Sequence, residues 1–443
     1  MAPELQTSAT RAEPSLPEVH SSVSVSRSPM YWRRLLGFLG PGFLISVGYM
    51  DPGNWATDIA GGSRFGYTLL FVIMLSNLMA ILLQSLSLKL GVATERDLAQ
   101  LCHENYGPRV SFALWIGAEI AIAACDLAEV IGSAIALNLL FHIPLFYGVL
   151  ITGLDVLLIL LLQRWGFRWV EALVIALIGT ILGLFVIQVF LSRPEYGSVL
   201  HSLFVPSFSI VSNPEMLYIA IGILGATVMP HNLYLHSSIV QSRRYKRTPE
   251  GKREAIHLAN VDSALALTVA LFVNAGILIV AAAVFHRSGH FEVAAIEDAF
   301  KLLSPLLGAA GASTLFAIAL LASGQNSSIT GTLAGQVVME GFIHLKVSPW
   351  LRRLITRSLA IIPTIIVVAV NGEQGTEKLL ILSQVILSLQ LSFAVVPLVL
   401  FTGSRKKMGE FVNGRWLQAL AWTTAVLIAG LNVWLLIQTA MGH

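Results

Sequence analysis

The sequence predicts an all-α membrane protein, a bundle of eleven transmembrane helices, from its composition and its apolar runs. Of the 443 residues, 55% are hydrophobic and only 12% are charged, and the mean hydropathy is +0.75. Soluble proteins carry about 25% charged residues, so most of this surface faces a solvent other than water. The apolar runs are about 20 residues long, enough for a helix to cross about 30 Å of hydrocarbon. The alternating segments of an outer-membrane barrel are absent from the sequence.

Eleven segments have the length and apolarity of a membrane span. We place them at 35–60, 67–91, 110–141, 146–162, 170–191, 217–240, 259–285, 308–343, 354–370, 379–401 and 417–437. The third and eighth exceed the thickness of a bilayer, so we expect these helices to tilt or to extend into water.

The first 30 residues differ from the rest of the chain. They are polar and rich in Ser and Pro, without the apolar core of a signal peptide. We predict a disordered cytoplasmic tail over 1–30. Cys102 and Cys125 are too few for a disulfide framework, and we predict that both are free thiols.

Lysines and arginines are distributed unevenly over the two sides of the predicted bundle. If the N-terminus is inside, the outer side holds only Arg64, Arg193, Arg287, Lys301 and Lys378. We predict a multi-pass protein of the cell (inner) membrane. Because cytoplasmic segments carry the excess of Lys and Arg, the N-terminus is predicted to be cytoplasmic, and eleven spans then make the C-terminus extracytoplasmic. The basic run at 243–253 fits this topology signal, with a lipid- or nucleic-acid-binding patch as the alternative.

Spans one and six each contain a helix-breaking motif at mid-membrane. Span one carries Asp51-Pro52-Gly53-Asn54, and span six carries Met229-Pro230-His231-Asn232. Proline removes a backbone donor and clashes with the preceding turn, so each helix should break there. Unwound backbone at membrane depth is tolerated only where it lines a cavity or is buried in protein.

The shared pattern X-Pro-X-Asn predicts two five-helix halves inserted with opposite topology. We place the first inverted repeat at 31–192 and the second at 214–402. The last helix, 416–438, lies outside the repeat.

The residues at the two breaks have the chemistry of a metal site. Asp51 supplies an anionic oxygen, Asn54 an amide oxygen and Met229 a thioether, and unwinding frees the carbonyls of Gly48 and Ala226. Oxygen ligands alone suit Mg²⁺ or Ca²⁺, whereas an added thioether shifts the preference toward Mn²⁺, Fe²⁺, Co²⁺ and Cd²⁺.

Ionisable residues inside the spans predict a second, separate polar route. Glu119, Asp126 and Glu129 of span three fall within about 80° of one another on a helix. His231 and His236 follow the break in span six. Such groups relay protons in transporters, and the alternative is a set of fixed buried salt bridges with the arginines that open span nine. Those arginines are Arg352, Arg353 and Arg357.

The two break motifs and the stretch from Gly324 to Gly335 resemble the natural resistance-associated macrophage protein (Nramp) family of divalent metal–proton symporters, and most closely its bacterial manganese/iron importers. The resemblance covers about residues 33–440 and implies a LeuT-like fold.

The resemblance also implies that Asp51, Asn54, Met229 and the carbonyls of Gly48 and Ala226 hold the metal. Gln384 of span ten would join when the site closes. The implied proton route runs through Asp51, His231, Glu129, Asp126, Arg353, Glu119 and Arg352. Gly48 departs from the Ala of some relatives.

The resemblance implies transport, with Mn²⁺ or Fe²⁺ as substrate, protons as the coupling ion and the lipid bilayer as the surroundings. We expect no bound cofactor, no nucleic acid and no obligatory protein partner. A sodium-coupled organic-substrate symporter on the same fold is the alternative. An intramembrane enzyme is disfavoured because the sequence has no H-E-x-x-H or G-x-S-x-G motif. A metal-sensing receptor is disfavoured because such receptors usually carry a large soluble output domain, and the sequence shows none.

Overall fold

The computed structural model describes residues 14–26, 28–153, 165–309, 311–343, 351, 355, 358, 361–366 and 374–440. Apart from one pair of two-residue strands, the regular structure in these ranges is helical, which confirms the predicted class. The strands are β1 (Val23–Ser24) and β2 (Arg243–Arg244). The helices are α1 (Tyr31–Phe38), α2 (Pro41–Ser46), α3 (Pro52–Phe65), α4 (Leu70–Thr94), α5 (Leu98–Asn105), α6 (Pro108–Phe141), α7 (Leu145–Thr152), α8 (Phe167–Ser192), α9 (Tyr196–Phe204), α10 (Ser209–Ser212), α11 (Pro214–Thr227), α12 (Pro230–Ile239), α13 (Pro249–Val284), α14 (Ile296–Leu307), α15 (Ala312–Ile343), α16 (Gln374–Thr402), α17 (Arg405–Met408) and α18 (Arg415–Ala440).

Seven helical segments of the described chain are long and apolar enough to cross a membrane. They correspond to the predicted second, third, fifth, sixth, seventh, tenth and eleventh spans. The predicted first span consists of α2, a 3₁₀ turn and α3, and the eighth is α15. The predicted fourth and ninth spans, 146–162 and 354–370, lie largely outside the described residues. The count of eleven therefore stays a prediction.

The centre of the bundle is built around the two interrupted spans. Helix α13 packs against α2, α3 and α4, α15 packs along α6, and α16 packs on both α6 and α11. Large apolar side chains remain exposed around the outside, among them Phe190 (76%), Phe272 (63%) and Val426 (67%). Apolar surface of this extent would associate in water, whereas it is well solvated by lipid chains.

Part of the predicted disordered tail is ordered. Residues 14–26 lie against the bundle, with Leu16, Val19 and Val23 only 1%, 5% and 5% exposed. Strand β1 in this stretch pairs in parallel with β2. The prediction of disorder over 1–30 is therefore wrong for these residues. Three apolar side chains gain enough burial here to outweigh a composition that is polar on average.

A buried ion pair holds the start of the first interrupted span. The guanidinium of Arg243 lies 2.8 Å from Glu171, and both side chains are at most 1% exposed. Arg243 also donates to the carbonyls of Phe38 and Leu39, at the junction of α1 and α2. Gly40 at this junction has φ of 144°, a backbone conformation that residues other than glycine rarely adopt. Arg243 therefore acts as a structural residue here, beyond the topology signal read from its charge.

We expect Arg243→Met to destabilise the protein by about 3–5 kcal/mol, because Glu171 would remain buried without this partner. The measurement is the melting temperature in detergent. The double variant Arg243→Met/Glu171→Leu serves as control and should melt above the single variant, because it removes the buried carboxylate as well. Arg168, the other partner of Glu171, is 44% exposed and can be solvated. A double variant that melts no higher would contradict the ion-pair explanation.

Candidate metal site

The first interrupted span breaks at the predicted motif. Helix α2 ends at Ser46, a 3₁₀ turn covers Val47–Met50, and Asp51 is extended with φ of −68° and ψ of 165°. Helix α3 then begins at Pro52, the first helical position, where the missing N–H of proline costs nothing. The Asp51 carboxylate caps the new helix by accepting the Asn54 N–H at 2.8 Å.

The second interrupted span repeats this construction. Helix α11 ends at Thr227, Val228 leaves the helical region, and Met229 is extended with φ of −68° and ψ of 126°. Helix α12 begins at Pro230. Asp51 and Met229 thus occupy equivalent positions, each immediately before a helix that starts with proline. Both predicted breaks are confirmed.

The two prolines also determine which carbonyls lack their α-helical donor. In a continuous helix the carbonyl of residue i accepts from the N–H of residue i+4. The fourth residue after Gly48 is Pro52, and the fourth after Ala226 is Pro230, so neither carbonyl has its helical donor. These are the two backbone oxygens that the sequence predicts as ligands.

The two breaks lie against each other. A Cβ added at Gly48 would lie 3.2 Å from Met229 Sδ and would overlap the side-chain amide of Asn232. Glycine at this position therefore lets the backbone of the first break approach the thioether of the second. An alanine at position 48, as in some relatives, would require the Asn232 amide to move.

Gln384 of α16 reaches the first break. A Cβ on Gly53 would overlap the Gln384 amide, so this side chain lies directly on the backbone between Pro52 and Asn54. Gln384 is fully buried, and its Nε2 donates to Ser383 Oγ at 2.9 Å. The residue expected to join the site on closure is thus already beside it.

The buried oxygens at the breaks include acceptors without a donor. Asn54 Nδ2 donates to the Tyr49 carbonyl, whereas Asn54 Oδ1 and Gln384 Oε1 have no hydrogen-bond partner in the described structure. Leaving a buried acceptor unsatisfied costs about 1–3 kcal/mol, and a cation would remove this cost. Asp51, Asn54 and Met229 are at most 1% exposed, so the site is closed to solvent.

Cys125 of α6 is a site neighbour that the sequence interpretation missed. Its Sγ lies 4.0 Å from Asp51 Oδ2 and 3.6 Å from Glu129 Oε1, and its side chain packs with Met229. The thiol therefore lies between the predicted metal ligand and the predicted proton route. The sequence does contain a signal for this position, because Cys125 is next to Asp126 and one helical turn before Glu129. Both cysteines are free, as predicted.

The acidic face of α6 packs against a glycine of α15. A Cβ at Gly331 would lie 3.0 Å from Asp126 Oδ1 and 3.1 Å from Glu129 Oε1, so both carboxylates occupy the space that this glycine leaves. Glu119 lies further along α6, is half-buried, and accepts from Trp115 Nε1 at 3.1 Å. The expected common face is observed for Asp126 and Glu129.

The two histidines of α12 have different surroundings. His231 is 1% exposed, and neither of its ring nitrogens has a hydrogen-bond partner in the described ranges. His236 Nδ1 lies 2.9 Å from Gln84 Oε1, and Gln84 Nε2 donates to the Tyr49 hydroxyl at 2.7 Å. The predicted partners Arg352 and Arg353 lie outside the described residues, so their pairing stays a prediction.

Asp58 is another buried residue near the first break that the sequence interpretation missed. It is 2% exposed and lies on α3, seven residues after Asp51. Its position inside the predicted first span was the signal that could have found it. No group of three His, Cys, Asp or Glu side chains suited to holding a metal occurs in the part of the chain that the structure describes.

Known proteins resemble this chain in both sequence and structure. Residues 42–438 match the family model described as natural resistance-associated macrophage protein-like (Nramp). Two proteins named "Divalent metal cation transporter MntH" are similar to this chain. The one from a Nostoc species is 63% identical over 97% of this chain and 97% of that protein. The one from Mesorhizobium japonicum is 62% identical over 97% of this chain and 95% of that protein.

Solved structures agree with the sequence comparison. The Eremococcus coleocola manganese transporter has a TM-score of 0.88 at 45% identity, covering 95% of this chain and 90% of that one. Mhp1, a nucleobase-cation-symport-1 family transporter, has a TM-score of 0.59 at 13% identity, over 90% and 92%, a likeness that shows the fold alone. The predicted LeuT-like fold is confirmed. The chain is a multi-pass membrane protein and belongs to the Nramp family.

Proposed function

We propose that this protein is a proton-coupled symporter that imports divalent transition metals, Mn²⁺ and Fe²⁺ and also Co²⁺ and Cd²⁺, by alternating access. The observation that carries the proposal is the meeting of Asp51, Asn54 and Met229 at two facing helix breaks. The names of the relatives, divalent metal cation transporters and a manganese transporter, support it.

The donor set is suited to a transported ion. Asp51, one carboxylate, can be joined by the neutral oxygen of Asn54, the thioether of Met229 and two backbone carbonyls. Softer divalent ions accept such a mixture, whereas Ca²⁺ and Mg²⁺ prefer oxygen alone. A site with one carboxylate binds a divalent ion more weakly than a site with several, which favours release. The interrupted helices supply the hinges, because unwound residues absorb backbone rotation at little cost.

A proton route that leads away from the metal site completes the proposal. Cys125, Glu129 and Asp126 run along α6 away from Asp51, with His231 on the neighbouring α12. A metal entering beside Asp51 favours loss of protons from nearby acidic groups by charge repulsion. We propose further that the protein lies in the cell (inner) membrane with a cytoplasmic N-terminus and an extracytoplasmic C-terminus, supported by the Lys and Arg distribution.

A sodium-coupled organic symporter is the competing function on this fold. Carboxylate substrates bind at a free helix N-terminus, where backbone N–H groups and the helix dipole attract anions. In this protein the Asp51 carboxylate already occupies that position on α3 by accepting the Asn54 N–H. A second carboxylate there would be repelled.

The decisive experiment is uptake into proteoliposomes. Mn²⁺ uptake should be saturable, should increase when the outside is acidic, and should acidify the lumen. Amino acids with Na⁺ serve as the comparison substrate. Amino-acid uptake without Mn²⁺ uptake would replace the proposed function by the competing one.

We expect Asp126→Asn to reduce metal-linked proton uptake by about tenfold or more while metal binding stays within about twofold. The substitution removes a titratable group at nearly constant volume and leaves Asp51, Asn54 and Met229 in place. The measurements are a pH dye in vesicles and calorimetry with Mn²⁺. If Asp126 is instead part of a static salt bridge, proton flux would be normal and the melting temperature would fall, because breaking a buried pair costs about 3–5 kcal/mol.

A further inference from the structure

The ordered N-terminal segment crosses one end of the bundle. We call residues 14–24 the inner strap. Its apolar side chains Leu16, Val19 and Val23 belong to the main hydrophobic core, although the segment precedes the first helix. A stretch that merely rested on the surface would leave these side chains exposed.

One set of contacts joins the inner strap to the chain that follows α12. The Ser21 N–H donates to the Gln241 carbonyl at 3.0 Å, and Ser238 Oγ donates to the Ser15 carbonyl at 3.4 Å. The pairing of β1 with β2 extends this attachment to Arg244. Helix α12 begins one residue after Met229, so the strap holds the far end of the helix that follows the second break.

A second set of contacts joins the same strap to the end of α15. The Leu16 N–H donates to Glu340 Oε2 at 2.9 Å. Gln336 Nε2 donates to Glu18 Oε1 at 3.1 Å and to Glu340 Oε1 at 2.9 Å. Helix α15 also carries Gly331, which packs against the acidic face of α6. The strap therefore connects the metal-site helix α12 with the helix that supports the predicted proton route.

Helices α12 and α15 pack directly on each other beneath the strap. A path from Met229 to this end of the bundle has to open between elements that the strap ties together. The strap continues into α1 through Val25, which lies 3.4 Å from where a Cβ on Gly37 would be, and α1 leads into the first interrupted span. Movement of either interrupted span toward this side would thus pull on the strap.

We propose that the inner strap is a latch that keeps the cytoplasmic side of the metal site closed and must detach from α15 before the ion is released inward. This inference rests on the proposed function and on the proposed orientation, in which this end faces the cytoplasm. The polar contacts of the strap with α15 are made to the side chains of Gln336 and Glu340, so they can break without unfolding of a helix.

The first test fixes the latch shut. Glu18→Cys/Gln336→Cys replaces a contacting pair and can be bridged by a short bis-thiosulfonate reagent, whose disulfide links are reversible. Bridged protein in proteoliposomes should take up Mn²⁺ at least about tenfold more slowly, and reduction should restore the rate. The single variants Glu18→Cys and Gln336→Cys, treated with the same reagent, are the controls. Full uptake by the bridged protein would overturn the proposal.

The second test loosens the latch and needs no transport. Leu16→Ser places a polar group in the buried contact, whereas Pro17→Ser changes the exposed neighbour and serves as the matched control. Ser238→Cys reports accessibility, because Ser238 is 6% exposed beneath the strap. Maleimide should label this cysteine several-fold faster with Leu16→Ser than with Pro17→Ser. Equal rates would overturn the proposal.

The two tests separate failure of the latch from failure of the proposed function. If the wild-type protein in the same proteoliposomes moves no Mn²⁺, the proposed function fails, and the labelling of Ser238→Cys still decides whether the strap covers this end. If the reduced protein transports and bridging changes nothing, only the latch fails.

Discussion

Asp51→Asn is expected to lower Mn²⁺ affinity on the order of 100-fold or more and to abolish uptake, while the protein stays folded. The asparagine oxygen can still accept the Asn54 N–H, so the cap of α3 is retained and the charge is removed. Loss of a full charge in contact with a divalent ion accounts for an effect of this size. Calorimetry with Mn²⁺ and the melting temperature are the two measurements.

Asp97→Asn is a matched control for this variant. Asp97 also caps a helix, α5, by accepting the Gln100 N–H at 2.9 Å, and it is 1% exposed. Burial raises the pKa of Asp97 to about 6, so this carboxyl is mostly ionised at pH 7.5, where the comparison is made. The same chemical change at Asp97 should leave Mn²⁺ affinity unaltered. Wild-type affinity in Asp51→Asn would remove Asp51 from the ligand set.

Met229→Ala is expected to change which ions compete more than how much Mn²⁺ is carried. Without the thioether the donors are oxygens only, so Ca²⁺ and Mg²⁺ should begin to inhibit Mn²⁺ uptake. Cd²⁺, the softest of the ions considered, should lose the most affinity, about tenfold or more. Competition for radiolabelled Mn²⁺ uptake into proteoliposomes measures both effects.

Met216→Ala controls for the loss of volume in this experiment. Met216 is a buried methionine of α11, 6% exposed, and belongs to the main hydrophobic core. Both substitutions remove a buried thioether side chain, which typically costs about 2–5 kcal/mol of stability. Only the one at the break should alter ion preference. If Ca²⁺ were excluded from Met229→Ala as strongly as from the wild type, the thioether would not be the selectivity element.

Local chemistry explains why much of this protein could be predicted from its sequence. Long apolar runs require helices in a bilayer, since every backbone group must bond within its own segment. Pro52 and Pro230 remove specific backbone donors wherever the rest of the chain lies, so the positions of both breaks follow from residue order alone. The missing i+4 donors of the Gly48 and Ala226 carbonyls follow from the same rule. These features depend on neighbours no more than four residues away.

Tertiary structure decided the features that depend on residues far apart in the chain. Cys125 is beside Asp51 only because α6 packs on the first break. Arg243 of β2 can be buried because Glu171 of α8 and the carbonyls of Phe38 and Leu39 meet it there. The polar composition of the inner strap predicted disorder, yet Leu16 is buried and its N–H donates to Glu340, 324 residues further along the chain. Composition averages over a segment, whereas burial depends on the few side chains that find an apolar surface. That surface exists only after the helices have assembled.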